Sequence, residues 1–205
     1  ASRIFDGTVT KWNDPEIKKL NPKAKLPDKN FVVVYRSSNS GTTQNLQNYF
    51  QETVGAGWPA ANQAWVGVKT GSGVATSADL VAKVKGTSGG IGYADLSDVG
   101  VKLGKVTLKN ASGEWVKPSV ASASKMLSAQ KIESNGSIDM NFTKKVKGAY
   151  QLSIPTYLMI PTAGDKAPAA KAFAKYAIET CSKKPAKGFA GFKGKNYDTA
   201  LKLAK

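Results

Sequence analysis

A continuous apolar, β-branched run, Phe31-Val32-Val33-Val34-Tyr35, gives way to a polar turn, Ser37-Ser38-Asn39-Ser40-Gly41. Helical spacing follows from Thr42 to Thr53, with Leu46, Tyr49 and Phe50 on one face. A short run that is apolar at every position reads as a strand buried on both faces. An apolar stripe at 3.6-residue spacing reads as an amphipathic helix. The stretch therefore predicts a strand, a turn and a helix: one βα unit. Upstream, Asp14-Pro15-Glu16 combines an N-cap, a proline at the first helical position and an acid near the positive end of the helix dipole. It predicts a short helix that stops by Asn21-Pro22. Gly67 to Gly73 reads as a polar, glycine-rich turn. Ala78 to Lys85 reads as a helix burying Leu80, Val81 and Val84, and Ile91 to Ala94 as a short strand. Val99 to Lys109 alternates and turns at Gly113-Glu114 into Trp115-Val116, which predicts a hairpin. Ser119 to Gln130 is a predicted helix capped by Ser119. Tyr157 to Ile160 reads as a strand. Asp165 is the expected cap of a helix to about Thr180, with Ala170, Phe173, Tyr176 and Ala177 on its apolar face. Tyr197 to Lys205 reads as a short terminal helix. The polar stretch 139–153 has no strong period and suits a crossing segment.

Helices alternate with strands, so the predicted class is α/β with a mixed sheet flanked by helices. The chain has 205 residues, 41% of them hydrophobic, enough for one substantial core or two small lobes. No apolar run approaches the ~18 residues that span a bilayer. It begins Ala1-Ser2-Arg3, as a mature or trimmed product would. It has no histidine and a single cysteine. An internal disulfide, a Ser-His-Asp triad and a His-ligated metal site are thereby excluded, and no metal or cofactor site is expected. Cys181 falls at a helix end and reads as an inert thiol. The formal net charge of +16 attracts anions at long range, but the lysines are scattered and form no run of five. Trp12, Trp58, Trp65 and Trp115 are dispersed and suit packing better than base stacking, and no nucleic-acid partner is expected. Asp95 and Asp98 read as loop acids, not as a catalytic pair.

The chemistry concentrates in the turn of the first βα unit. Ser40, Gly41 and Thr42 fall at a helix N-terminus, where backbone N–H groups lack partners and the dipole is positive. Gly41 allows close approach, and Ser40 and Thr42 add hydroxyl donors. Arg36, at the strand's end, brings a planar fork that suits two oxygens of a tetrahedral anion. Ser38 and Thr43 stand beside them as supporting residues. The same Ser, Thr and Gly also make an ordinary helix cap. Arg36 directly after a buried strand favours the anion, because a charge there needs a partner.

Four ordered segments carry a family resemblance. Ile4-Phe5-Asp6-Gly7-Thr8-Val9-Thr10-Lys11-Trp12-Asn13-Asp14-Pro15 resembles the "IF-G-T-WNDP" segment of the phosphate-binding proteins of bacterial ABC importers. Val34-Tyr35-Arg36-Ser37-Ser38-Asn39-Ser40-Gly41-Thr42-Thr43 resembles their "RxDxSGT" phosphate loop. Trp65-Val66-Gly67-Val68 and Gly89-Gly90-Ile91-Gly92-Tyr93 follow in the family's order. Gln151-Leu152-Ser153-Ile154-Pro155 and Tyr157-Leu158-Met159-Ile160 resemble the strand returning to the first lobe. The resemblance implies a two-lobed clamp of the periplasmic-binding-protein type II fold. Residues 1–150 would be the second, ligand-binding lobe, and 151–205 a C-terminal return to an incomplete first lobe, whose N-terminal part the chain lacks. It implies a non-catalytic, extracytoplasmic receptor, periplasmic or extracellular and lipid-anchored through that absent N-terminus. The receptor would deliver inorganic phosphate to a membrane ABC permease, with Arg36, Ser40, Gly41 and Thr42 as phosphate ligands and no cofactor. The family places an Asp where this chain has Ser38, so the loop here is more positive. The competing expectation is an interaction or adhesion module on the same scaffold, binding polyanions or a partner protein.

Overall fold

The computed structural model describes residues 1–191 and 193–205. The chain divides into two compact units, Ala1–Gly104 and Lys105–Lys205. The break falls after Gly104, and the expected boundary at residue 150 lies inside the second unit.

In the first unit, α1 (Ser2–Phe5) precedes α2 (Pro15–Leu20), whose N-cap Asp14 accepts from the Glu16 amide as expected. Strand β1 (Val32–Arg36) leads through the polar turn into α3 (Gly41–Val54), capped by Ser40. Then come β2 (Ser72–Val74), α4 (Ser77–Gly86) and β3 (Gly90–Ile91). The three strands form one sheet in the order β2-β1-β3, and both pairings are parallel. The mixed sheet expected from the sequence is thus corrected to a parallel one. Parallel pairing follows from helical crossovers, which return each strand in the same direction. β1, the central strand, carries the Val run, and Val33 and Val34 are buried. β2 was legible only as a turn, because Ser72-Gly73 has turn composition. Gly71 explains that composition. A Cβ there would collide with the Val33 carbonyl, so only glycine lets the two chains approach.

Leu46, Tyr49 and Phe50 of α3 are buried, as their spacing predicts. Phe50 meets Phe5 at 5.7 Å and Trp58 at 4.7 Å between ring centroids. Trp65 stacks between Tyr35 at 5.5 Å and Tyr93 at 5.7 Å. Trp12 packs on Phe31. Burying each large ring contributes on the order of 2 kcal/mol. A buried Gln47 fastens the loop after α3. Its side-chain nitrogen donates to the Asn62 and Ala64 carbonyls at 2.8 and 2.9 Å, and its oxygen accepts from the Val66 amide at 2.9 Å.

The second unit contains two antiparallel ribbons. β4 (Leu108–Lys109) pairs with β5 (Trp115–Val116), the expected hairpin, although residues 99–107 form no strand. Helix α5 (Val120–Ser128) starts at Ser119 with a reciprocal Ser119–Ser122 capping box. β6 (Lys131–Ile132) pairs with β7 (Ile138–Asp139), in a stretch too short and polar to show a period. Next are α6 (Ala167–Glu179) and α7 (Lys195–Leu203).

Three expectations fail in this unit. Residues 157–160 form no strand, and Tyr157, Leu158 and Met159 are exposed, Met159 at 92%. Asp165 does not cap α6; the N-cap position is Lys166, without a side-chain bond. Phe173 and Tyr176 face solvent, while the small Ala167 and Ala174 are buried. α6 has two apolar stripes, and the alanine stripe allows the closer approach. Trp115 is also exposed, and Cys181 lies exposed just beyond α6. Among the described residues, no helix is long and apolar enough to cross a membrane.

Replacing Gln47 with Leu removes three hydrogen bonds and leaves buried backbone groups unpaired, at about 1–3 kcal/mol per group. We expect Gln47→Leu to lower stability by at least about 2 kcal/mol, read as a lower urea midpoint at unchanged m-value.

Candidate anion-binding site

The C-terminal ends of β1 and β2 and the N-terminal ends of α3 and α4 meet around one side chain, Arg36. Parallel register sets this up. Arg36 pairs with Val74, and the Ser37 amide extends the ladder to the Val74 carbonyl at 2.9 Å. Both strands therefore end at one level, and each is followed by a helix start. The crevice beyond strand C-termini is where open α/β sheets take ligands.

Arg36 points toward the start of α3. Its Nη1 donates to the Ser77 hydroxyl at 3.2 Å and more weakly to the Ser40 hydroxyl at 3.4 Å. Its Nη2 donates to Ser38 Oγ at 3.0 Å, and Ser38 Oγ donates onward to the Ala75 carbonyl at 2.8 Å. Its Nε is buried and has no partner. A buried, unpaired donor on a cation is costly, so its persistence here suits an acceptor that arrives with a ligand.

The amides at the start of α3 divide into two groups. The Ser40 amide is taken by the Gln63 carbonyl at 3.1 Å, and the Thr43 amide by Ser40 Oγ at 3.3 Å. Ser40 is thus a genuine cap. The Gly41 and Thr42 amides have no recorded acceptor among the described residues. Gly41 is exposed and Thr42 half-buried, and a Cβ on Gly41 would meet nothing within 4 Å. Two free N–H groups and the guanidinium therefore stand at one helix start, where the dipole favours an anion, with Thr42 in the same first turn. Thr43 is fully buried, and its Oγ1 lies 2.6 Å from the Tyr93 hydroxyl. That hydroxyl also accepts from the Arg36 amide at 3.1 Å. Thr43 and Tyr93 lock the strand end to the first helical turn and do not themselves face the opening.

The structure thus brings together all four residues expected to hold an anion, Arg36, Ser40, Gly41 and Thr42, with Ser38 and Thr43 beside them. It adds two that sequence reasoning missed. Ser77 opens α4, and the Thr76-Ser77-Ala78-Asp79 pattern is a capping signature that could have placed it. Tyr93 follows β3 and had no local signal for a hydroxyl bridge to β1. Asp95 and Asp98 lie on a turn closed by a hydrogen bond from the Asp98 amide to the Asp95 carbonyl at 2.9 Å. Burial, and then the Asp98 charge, push the Asp95 carboxyl up. Among the described residues no cluster of three metal-ligating side chains occurs.

A family model described as a PBP superfamily domain matches residues 2–180. The chain belongs to the PBP superfamily. It is 32% identical over 165 residues to the phosphate-binding protein PstS of Xylella fastidiosa strain Temecula1, covering 77% of this chain and 44% of that relative. It is 41% identical over 130 residues to PstS of Pasteurella multocida strain Pm70, covering 58% and 35%. It is 30% identical over 169 residues to PstS 3 of Mycobacterium tuberculosis strain H37Rv, covering 78% and 45%. The chain spans less than half the length of these relatives. Their names describe binding, not catalysis.

Burial raises the Tyr93 hydroxyl above the ordinary tyrosine value of 10.0, against hydrogen bonds from the Arg36 amide and Thr43 and the Arg36 charge, which lower it. A folded-state pKa above the unfolded one gives stability that is present below the unfolded value and lost as pH rises through the folded one. We expect thermal stability to fall above about pH 10, and Tyr93→Phe to flatten that part of the profile while costing about 1–2 kcal/mol at neutral pH.

Proposed function

We propose that this chain is the ligand-gripping part of an extracytoplasmic solute-binding protein that takes inorganic phosphate for uptake through a membrane ABC permease. One observation carries the reading. A guanidinium with a buried, unpaired Nε stands beside two free amides at a helix start, on the C-terminal edge of a parallel sheet. The relatives named as phosphate-binding proteins support it. In this reading Arg36, Gly41 and Thr42 are direct ligands. Ser40 contributes its hydroxyl proton but not its amide, and Ser38 and Thr43 support. Residues 1–150 belong to the ligand lobe, and 151–205 return toward a first lobe. The role is capture and delivery without chemistry on the anion, in the periplasm or at the cell surface.

Arg36→Ala and Thr42→Val are each expected to weaken orthophosphate binding by at least about ten-fold, roughly the 1.4 kcal/mol of one charge-assisted bond. Isothermal calorimetry on the 205-residue chain checks this. Unchanged affinity in both variants rejects the reading.

A second reading rests on the charge distribution. The unit Lys105–Lys205 carries eighteen lysines against six acidic residues. That excess suits adhesion to an acidic wall polymer. If it operates, retention on immobilised teichoic acid persists in Arg36→Ala and collapses as salt rises from about 50 to 200 mM. Absence of retention at low salt removes it.

A further inference from the structure

The turn that joins β2 to α4 holds the Arg36 loop at successive levels. The Val74 carbonyl accepts from the Ser37 amide at 2.9 Å. The Ala75 carbonyl accepts from Ser38 Oγ at 2.8 Å, and Ser38 Oγ accepts in turn from Arg36 Nη2 at 3.0 Å. Ser77 Oγ accepts from Arg36 Nη1 at 3.2 Å. Thr76, between them, serves its own helix: its hydroxyl accepts from the Asp79 amide at 3.1 Å and donates to Asp79 Oδ2 at 2.7 Å. That cap fixes the first turn of α4, and with it the place of Ser77. All of these residues lie in the first unit.

One turn therefore grips both ends of the guanidinium, Nη2 through Ser38 and Nη1 directly. A planar fork held at both Nη atoms cannot rotate without breaking a charge-assisted bond. Ser40 is the weaker hold on Nη1: it stands at 3.4 Å, and its hydroxyl also caps α3 by accepting from the Thr43 amide. The Ser77 hydroxyl is not needed by α4 itself. Thr76 already supplies the cap, and alanine at the first helical position would suit the helix at least as well. What the hydroxyl adds is the bond to Arg36. We propose that Ser77 is a positioning residue of the anion site: from the start of α4 it fixes the plane of the Arg36 guanidinium, so that a tetrahedral oxyanion meets an arginine already oriented. Its role in binding rests on the phosphate reading of this site; its hold on the guanidinium does not. Orienting the group beforehand removes part of the ordering cost of binding.

The chain has two arginines, Arg3 and Arg36, so nitrogen-15 NMR of the 205-residue chain resolves each guanidinium, and Arg36→Lys identifies the Arg36 signals by their loss. The rate to read is rotation about the Arg36 Nε–Cζ bond, which exchanges the two Nη atoms. Ser77→Ala speeds it at least about ten-fold, as loss of a charge-assisted bond implies, and leaves Arg3 unchanged. Ser77→Thr, which keeps the hydroxyl, restores the slow rotation. The thermal midpoint of Ser77→Ala stays within about 3 °C of the unaltered chain, because the cap is intact. Unchanged rotation at Arg36 in Ser77→Ala overturns the proposal and leaves the phosphate reading standing. Titration with inorganic phosphate then reads the Arg36 Nε signal. It shifts in the unaltered chain, and in Ser77→Ala the midpoint rises about five-fold. Equal midpoints overturn the role in binding. No shift in the unaltered chain overturns the phosphate reading and that role together. Should Ser77→Ala not fold by circular dichroism, Ser77→Cys, which keeps the size and loses most of the hydrogen bond, is read in its place.

Discussion

One hydroxyl joins the three elements on which the candidate site depends. Tyr93, just beyond β3, accepts from the Arg36 amide at the end of β1 and shares a proton with Thr43 in the first turn of α3. The Thr43 bond is buried and the Arg36 bond partly so, which limits competition from water. The bridge fixes where the strand stops relative to where the helix starts. That distance decides whether a guanidinium rooted in the strand and amides rooted in the helix can serve one small ion. The aromatic stack of Tyr35, Trp65 and Tyr93 holds the bridging ring from the side. Glycine at position 71 brings β2 close enough to add Ser77 from the next helix. Packing thus determines electrostatics here.

The sequence made the first βα unit legible because its signals are local and agree. Val32 to Val34 form a continuous β-branched run, Ser40 caps, and Leu46, Tyr49 and Phe50 keep helical period. The anion loop was legible for the same reason, since strand, turn and cap fall within a dozen residues. β2 was hidden because close approach demanded glycine, and glycine reads as a turn. Ser77 and Tyr93 were hidden because their roles are set by strand register and span 41 and 57 residues from Arg36. No pattern within one element encodes such a contact. In the second unit, α6 carries apolar residues on two sides. Spacing alone favoured the bulky Phe173 and Tyr176, whereas the structure buries the alanines. Period identifies a helix more reliably than it identifies which apolar stripe faces inward.

Membership of the PBP superfamily fits what the fold makes available. A parallel sheet with two helix starts on one edge offers many fixed donors at little reorganisation cost. At that edge Ser38 receives the guanidinium through a neutral hydroxyl and passes its own proton to the Ala75 carbonyl.

The second unit combines exposed Leu158, Met159, Phe173 and Tyr176 with a large lysine excess. Apolar surface of this kind draws copies of a chain together. Like charge opposes that approach before short-range attraction takes hold. The lysines therefore act as gatekeepers against self-association as well as lures for anions. The protection has a short range, about 8 Å at physiological ionic strength, so colloidal stability and ligand attraction in this protein weaken together as electrolyte increases.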